Sequence, residues 1–108
     1  AGLACGTVSV VAWDILSKTI EASMSISDLD AANAMRCLKF CKKSEYSVEA
    51  GESATAGLAG LILSANTPVL KQKLKIDNKP QILIIGSEGI TDPDIYTKII
   101  SNELLSET

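Results

Sequence analysis

The chain contains no histidine. That removes an imidazole metal site and any Ser-His or Cys-His pair, and with them most hydrolase chemistry for this chain alone. Its three cysteines are an odd number at unlike spacings. They make no disulfide framework, and a reducing, cytoplasmic setting is the default. The net charge of −3 gives no electrostatic footprint for nucleic acid or an anionic membrane. Lys42 and Lys43 form the only basic pair, where a helix should end and cations are favourable. No apolar run approaches the roughly 18 residues of a membrane span, and no secretory n-region and h-region are present. Repeats and low-complexity tracts are lacking too.

What is there fits one domain, 1–108, with a small core: 108 residues, 46% hydrophobic and 21% charged. Helices are expected at 10–20, 28–42, 52–66, from Thr67-Pro68 to about Leu74, and from Asp92-Pro93 onward. Ser27, with Asp30 three residues later, is an acidic variant of the capping box. Thr67-Pro68 and Asp92-Pro93 each read as a cap followed by proline in the first turn. Helical spacing picks out Leu29, Ala32, Met35 and Leu38, then Leu58, Leu61, Ile62 and Ala65, then Ile95, Tyr96, Ile99 and Ile100. Cys37 and Cys41 share a helix face and read as core rather than as zinc ligands.

Strands are expected at 22–26, 46–49 and 81–86, the last a continuous apolar run ("QILIIG") of the kind buried on both faces. Helices alternating with strands predict an α/β fold, a short parallel sheet of about three strands covered by helices. Three parallel strands make a poor independent domain. The chain also starts without methionine, at "AGLACG", and both features suggest a piece of a larger protein.

In open parallel sheets ligands gather outside the carboxyl ends of strands. Two of the expected strands end alike, in "EAGES" and "IGSEG". Each offers glycine, an acid and a serine, and each leads toward a helix. Gly51 and Gly86 allow close approach to the backbone. The first amides of the helix after Ser53 could receive an anion. The same residues also suit ordinary turns between strand and helix. "AGLACG" is equally double: a close-packed turn, or a loop in which Cys5 is a reactive thiol. Trp13 reads as core or as a ligand contact, and Glu49 with Glu52 as a solvated turn or an acid/base pair.

Three segments in order resemble one family: "AGLACG" followed by "WDIL", then "GES" with a later "GL", then "LIIGSEGITDPDIY". The chain resembles the C-terminal part of diaminopropionate ammonia-lyases, pyridoxal-phosphate enzymes of fold type II related to threonine and serine deaminases. The last segment is the most specific. Thr7-Val8-Ser9-Val10 stands where the family tends to have Glu-Pro-Asn-Pro, and Ala54 where it usually has glycine. The resemblance implies a piece of a large catalytic domain and a carbon–nitrogen lyase that turns 2,3-diaminopropionate into pyruvate and ammonia. The cofactor carries the hard chemistry. It also implies that Ser87, beside Gly86, meets the pyridine nitrogen with a neutral hydroxyl. Ala4, Cys5, Gly6, Glu52 and Ser53 would line the active-site loops. The Schiff-base lysine and the phosphate loop would lie upstream, so no catalytic residue is assigned here and this chain alone should be inert. The expected partners are a small amino-acid substrate, the missing N-terminal part and a second copy in a homodimer. A threonine or serine deaminase, and a non-catalytic interaction module, are the rival readings.

Overall fold

The computed structural model describes residues 5–41 and 47–101. They form five helices in the order α1 (Val10–Thr19), α2 (Asp28–Lys39), α3 (Glu52–Ala65), α4 (Pro68–Lys73) and α5 (Pro93–Ile100). The starts of α2 and α5 follow the capping chemistry, whereas Thr67, the cap of α4, makes no side-chain bond. Ser27 Oγ accepts the Asp30 amide at 3.1 Å while the Asp30 carboxylate accepts the Ser27 amide at 3.0 Å, a reciprocal box. Asp92 Oδ1 accepts the Ile95 amide at 3.0 Å, ahead of Pro93 in the first turn of α5. α2 stops at Lys39, short of 42, with Phe40 as its C-cap. Lys42 and Lys43 lie outside the described residues.

α2 packs against α3 and α5, and α4 against α3. The buried residues of both helices are mostly small: Ala31 and Ala34 on α2, and Ala54, Thr55, Ala59 and Ser64 on α3. Small side chains let the two backbones approach closely. The buried hydroxyls are answered locally. Thr55 Oγ1 donates to the Gly51 carbonyl at 3.2 Å, and Ser64 Oγ to the Gly60 carbonyl at 2.7 Å. The large residues Leu58, Leu61 and Ile62, read from spacing as the inner face of α3, are half-buried or exposed. α5 turns as expected, with Ile99 buried and Ile95, Tyr96 and Ile100 half-buried. Arg36 ties α2 to the end of α5, its Nε donating to the Ile99 carbonyl at 2.7 Å.

The α/β expectation is overturned. Among the described residues there are helices only, with no strand and no sheet. The segments 22–26 and 81–86 have no regular secondary structure, and a strand exists only as one line of a hydrogen-bonded ladder. Both instead lie along α3. The space beside Gly60 is filled by Met24 Sδ, that beside Gly57 by Ile84 Cγ2, and that beside Gly86 by Ala54. Residues 47–49 fold back on α2: the Val48 amide bonds the Leu38 carbonyl at 3.2 Å and Ser47 Oγ the Lys39 carbonyl at 2.9 Å. Tyr46, the first residue of that expected strand, lies outside the described residues.

The apolar run that should be buried on both faces is covered on one. Ile84 faces α3, while Leu83 and Ile85 are 87% and 81% exposed. α1 is uncovered as well. None of its residues is buried, it packs on no other helix, and Val10, Val11, Trp13 and Ile15 all stand exposed. Cys37 and Cys41 are exposed rather than core. No described helix is long and apolar enough to cross a membrane.

Candidate functional site

Two of the loops singled out in the sequence meet. α3 begins after Gly51, a cap with no side chain to satisfy the first-turn amides. The loop 86–92 supplies what is missing. Glu88 Oε2 accepts the Ser53 amide at 2.8 Å, and its Oε1 accepts the Thr91 hydroxyl at 2.9 Å. The Glu88 backbone carbonyl accepts the Gly51 amide at 3.2 Å. Glu88 thus grips the start of α3 with one carboxylate oxygen and its carbonyl, while Thr91 holds the other oxygen. These bonds, first the Ser53 amide and then the Thr91 hydroxyl, hold its carboxyl below the usual carboxylate range.

The approach is close because residue 51 is glycine. A Cβ there would stand 2.5 Å from the Gly89 carbonyl oxygen and 2.8 Å from Glu88 Cδ. Behind the loop lies a cavity of about 30 Å³ lined by Met35, Glu52, Thr91, Asp92 and Tyr96. That volume has room for a water molecule, not for an amino acid. The Tyr96 hydroxyl is buried with no hydrogen-bond partner. Burial pushes its pKa up; the nearby Glu49 adds to this and Lys39, ion-paired to Glu49, opposes it.

The expected site residues other than Ala4 lie among the described residues. Glu52 and Ser53 open α3 beside Glu88. Ser87 is exposed, with no partner for its hydroxyl among the described residues. Gly86 lies against α3, where a Cβ would be 3.4 Å from that of Ala54; its smallness serves this contact. Cys5 and Gly6 are exposed. The Cys5 thiol donates to the Thr7 carbonyl at 3.7 Å, and a Cβ on Gly6 would meet nothing within 4 Å. Ala4 lies outside the described residues. Glu88, Thr91 and Tyr96 were not singled out as site residues in the sequence, although all three lie in its most specific segment. The three-residue step from Glu88 to Thr91 was the available signal. Among the described residues no cluster could hold a metal ion.

A pyridoxal cofactor fits this surface in part. The free, uncharged Ser87 hydroxyl suits a pyridine nitrogen. The start of α3 does not suit the phosphate, because Glu88 already fills it, and the cavity is too small for the ring.

No protein-family model matches the chain, and no solved structure does. Curated relatives do. Diaminopropionate ammonia-lyase of Salmonella typhimurium is 32% identical over 106 residues, covering 94% of this chain and 26% of the relative. The Escherichia coli strain K12 protein of the same name is 32% identical over 103 residues, covering 93% of this chain and 26% of its own length. The chain spans about a quarter of the length of the curated relatives it matches.

Proposed function

We propose, from the premise that this chain is related along nearly all of its length to diaminopropionate ammonia-lyases, that it forms the cofactor-facing part of a pyridoxal-phosphate-dependent carbon–nitrogen lyase. The substrate is 2,3-diaminopropionate and the products are pyruvate and ammonia. The observation that carries this reading is the exposed Ser87 hydroxyl, held on a loop clamped to α3, within the segment that most resembles the family.

What pyridoxal phosphate supplies when bound is an electron sink for the substrate's α-carbon. Ser87 would donate a hydrogen bond to the ring nitrogen. Being uncharged, it does not raise that nitrogen's proton affinity, as a carboxylate would. Glu88 is the carboxylate nearest in sequence, and its two oxygens are engaged with Ser53 and Thr91. Glu52 and Ser53 stand on the substrate side of the same turn. The uncovered faces, Leu83 with Ile85 and the apolar side of α1, are closed by other parts of the enzyme, which also bring the Schiff-base lysine and the phosphate site. The free cysteines suit a cytoplasmic setting, and the resemblance suggests a homodimer.

The test is a chimera in which this chain replaces the matching quarter of the Salmonella typhimurium enzyme. It should bind pyridoxal phosphate and release pyruvate from 2,3-diaminopropionate. A chimera that binds the cofactor but prefers threonine transfers the assignment to the deaminases. One that folds and binds no cofactor removes the lyase reading.

A further inference from the structure

α3 has the geometry of an anion site. It is a helix of 14 residues whose cap, Gly51, contributes no side-chain bond. The anion there comes from the chain itself. Glu88 lies 35 residues from Ser53, yet its Oε2 takes the Ser53 amide at 2.8 Å. Thr91 Oγ1 holds the other oxygen at 2.9 Å, and the Gly51 amide holds the carbonyl of the same residue at 3.2 Å. The next residue back is Ser87, which has no such restraint of its own.

We propose that Glu88 is a positioning residue: it is the internal anion of α3, it fixes the backbone that carries Ser87, and it is thereby kept from acting as a free carboxylate beside the ring. The part concerning the ring rests on the lyase reading; the clamp itself does not. Two polar residues adjoin at the end of the apolar segment, and they divide the work. Ser87 stays free to donate. Glu88 is turned away and engaged on both oxygens, so the ring nitrogen next to it meets a neutral group. Glycine at 51 belongs to the same device, since any side chain there would drive the Gly89 carbonyl and the Glu88 carboxyl off the helix.

Amide hydrogen exchange on the 108-residue chain tests the clamp without cofactor or substrate. In Glu88→Ala the Ser53 amide should exchange about tenfold faster than in the parent chain, as expected for one lost hydrogen bond to a charged acceptor. Glu88→Gln, which keeps an oxygen acceptor, should restore most of the protection, and Ser87→Ala should leave it unchanged. A Ser53 amide that exchanges as fast in the parent chain as in Glu88→Ala overturns the proposal. The chimera tests the consequence. There Glu88→Ala should weaken pyridoxal phosphate binding several-fold, with Glu88→Gln close to the parent. If Ser53 loses protection in Glu88→Ala while cofactor affinity is unchanged, the positioning of Ser87 is refuted and the clamp stands. If the parent chimera binds no cofactor, the lyase reading fails and the exchange data still judge the clamp.

Discussion

Replacing Gly51 with alanine should cost far more than its size implies. The backbone at 51, φ −78° and ψ 176°, is one that alanine adopts freely, so backbone strain adds nothing to the cost. The new Cβ would sit 2.5 Å from the Gly89 carbonyl oxygen, 2.8 Å from Glu88 Cδ and 2.9 Å from Glu88 Oε2. The nearest of these is backbone and cannot rotate aside. Relief requires the 88–89 backbone to withdraw, which strains or breaks the Gly51–Glu88 and Ser53–Glu88 hydrogen bonds. Overpacking of this kind costs about 1–3 kcal/mol, and alanine is in addition a poorer N-cap than glycine. Gly89→Ala is the control in the same loop. A Cβ there meets nothing within 4 Å and the φ is not positive, so the change should be neutral or stabilising by up to about 1 kcal/mol. Urea unfolding followed by circular dichroism separates the two. If Gly51→Ala and Gly89→Ala unfold at the same urea concentration, the close approach of the loop to α3 is not present in solution.

Gly57→Ala should be milder than Gly51→Ala, because its Cβ would meet the end of a side chain, Ile84 Cγ2 at 2.9 Å, which can shift; unfolding midpoints rank the two. Glu88 and Asp30 both have lowered carboxyl pKa values, Glu88 chiefly from the Ser53 amide and Asp30 chiefly from the Ser27 hydroxyl. Their contributions are therefore present above the unfolded carboxyl range and lost as pH falls through the lowered folded values. Carboxyl titration by NMR should find both below ordinary model values, and Ser27→Ala should return Asp30 toward its own. Leu83→Lys and Ile85→Lys should change the stability of the 108-residue chain by no more than about 0.5 kcal/mol, since both side chains are already in solvent. In the chimera the same changes should impair assembly, read as loss of soluble, cofactor-loaded protein.

The local features were legible and the layering was not. Capping chemistry placed the starts of α2 and α5, because Ser27, Asp30 and Asp92 act within one helical turn. The meeting of "GES" with "SEG" was foreshadowed by their similar chemistry, though the reason given was a shared sheet edge and the actual link is Glu88 reaching the start of α3. The sheet failed because an apolar run such as 81–86 reports only that its faces want cover, not what provides it. Here Ile84 finds α3 and Leu83 finds nothing. The inner face of α3 was misread for a related reason. Spacing rewards large residues, whereas the buried positions of α3 are small ones, Ala54, Thr55, Ala59 and Ser64. Thr55 and Ser64 are polar by composition and are buried because each bonds a carbonyl in its own helix.

The central claim is that Ser87 presents a neutral donor to the cofactor ring of a diaminopropionate lyase. The direct measurement is the absorption spectrum and pyruvate release of the cofactor-loaded chimera carrying Ser87→Ala or Ser87→Asp. Ser87→Ala should bind pyridoxal phosphate modestly more weakly, by about 1 kcal/mol for one hydrogen bond, and slow turnover on 2,3-diaminopropionate. Ser87→Asp should shift the spectrum in a different direction by holding the ring nitrogen protonated. Parent-like spectra and turnover in both variants would contradict the account and leave Ser87 as a turn residue.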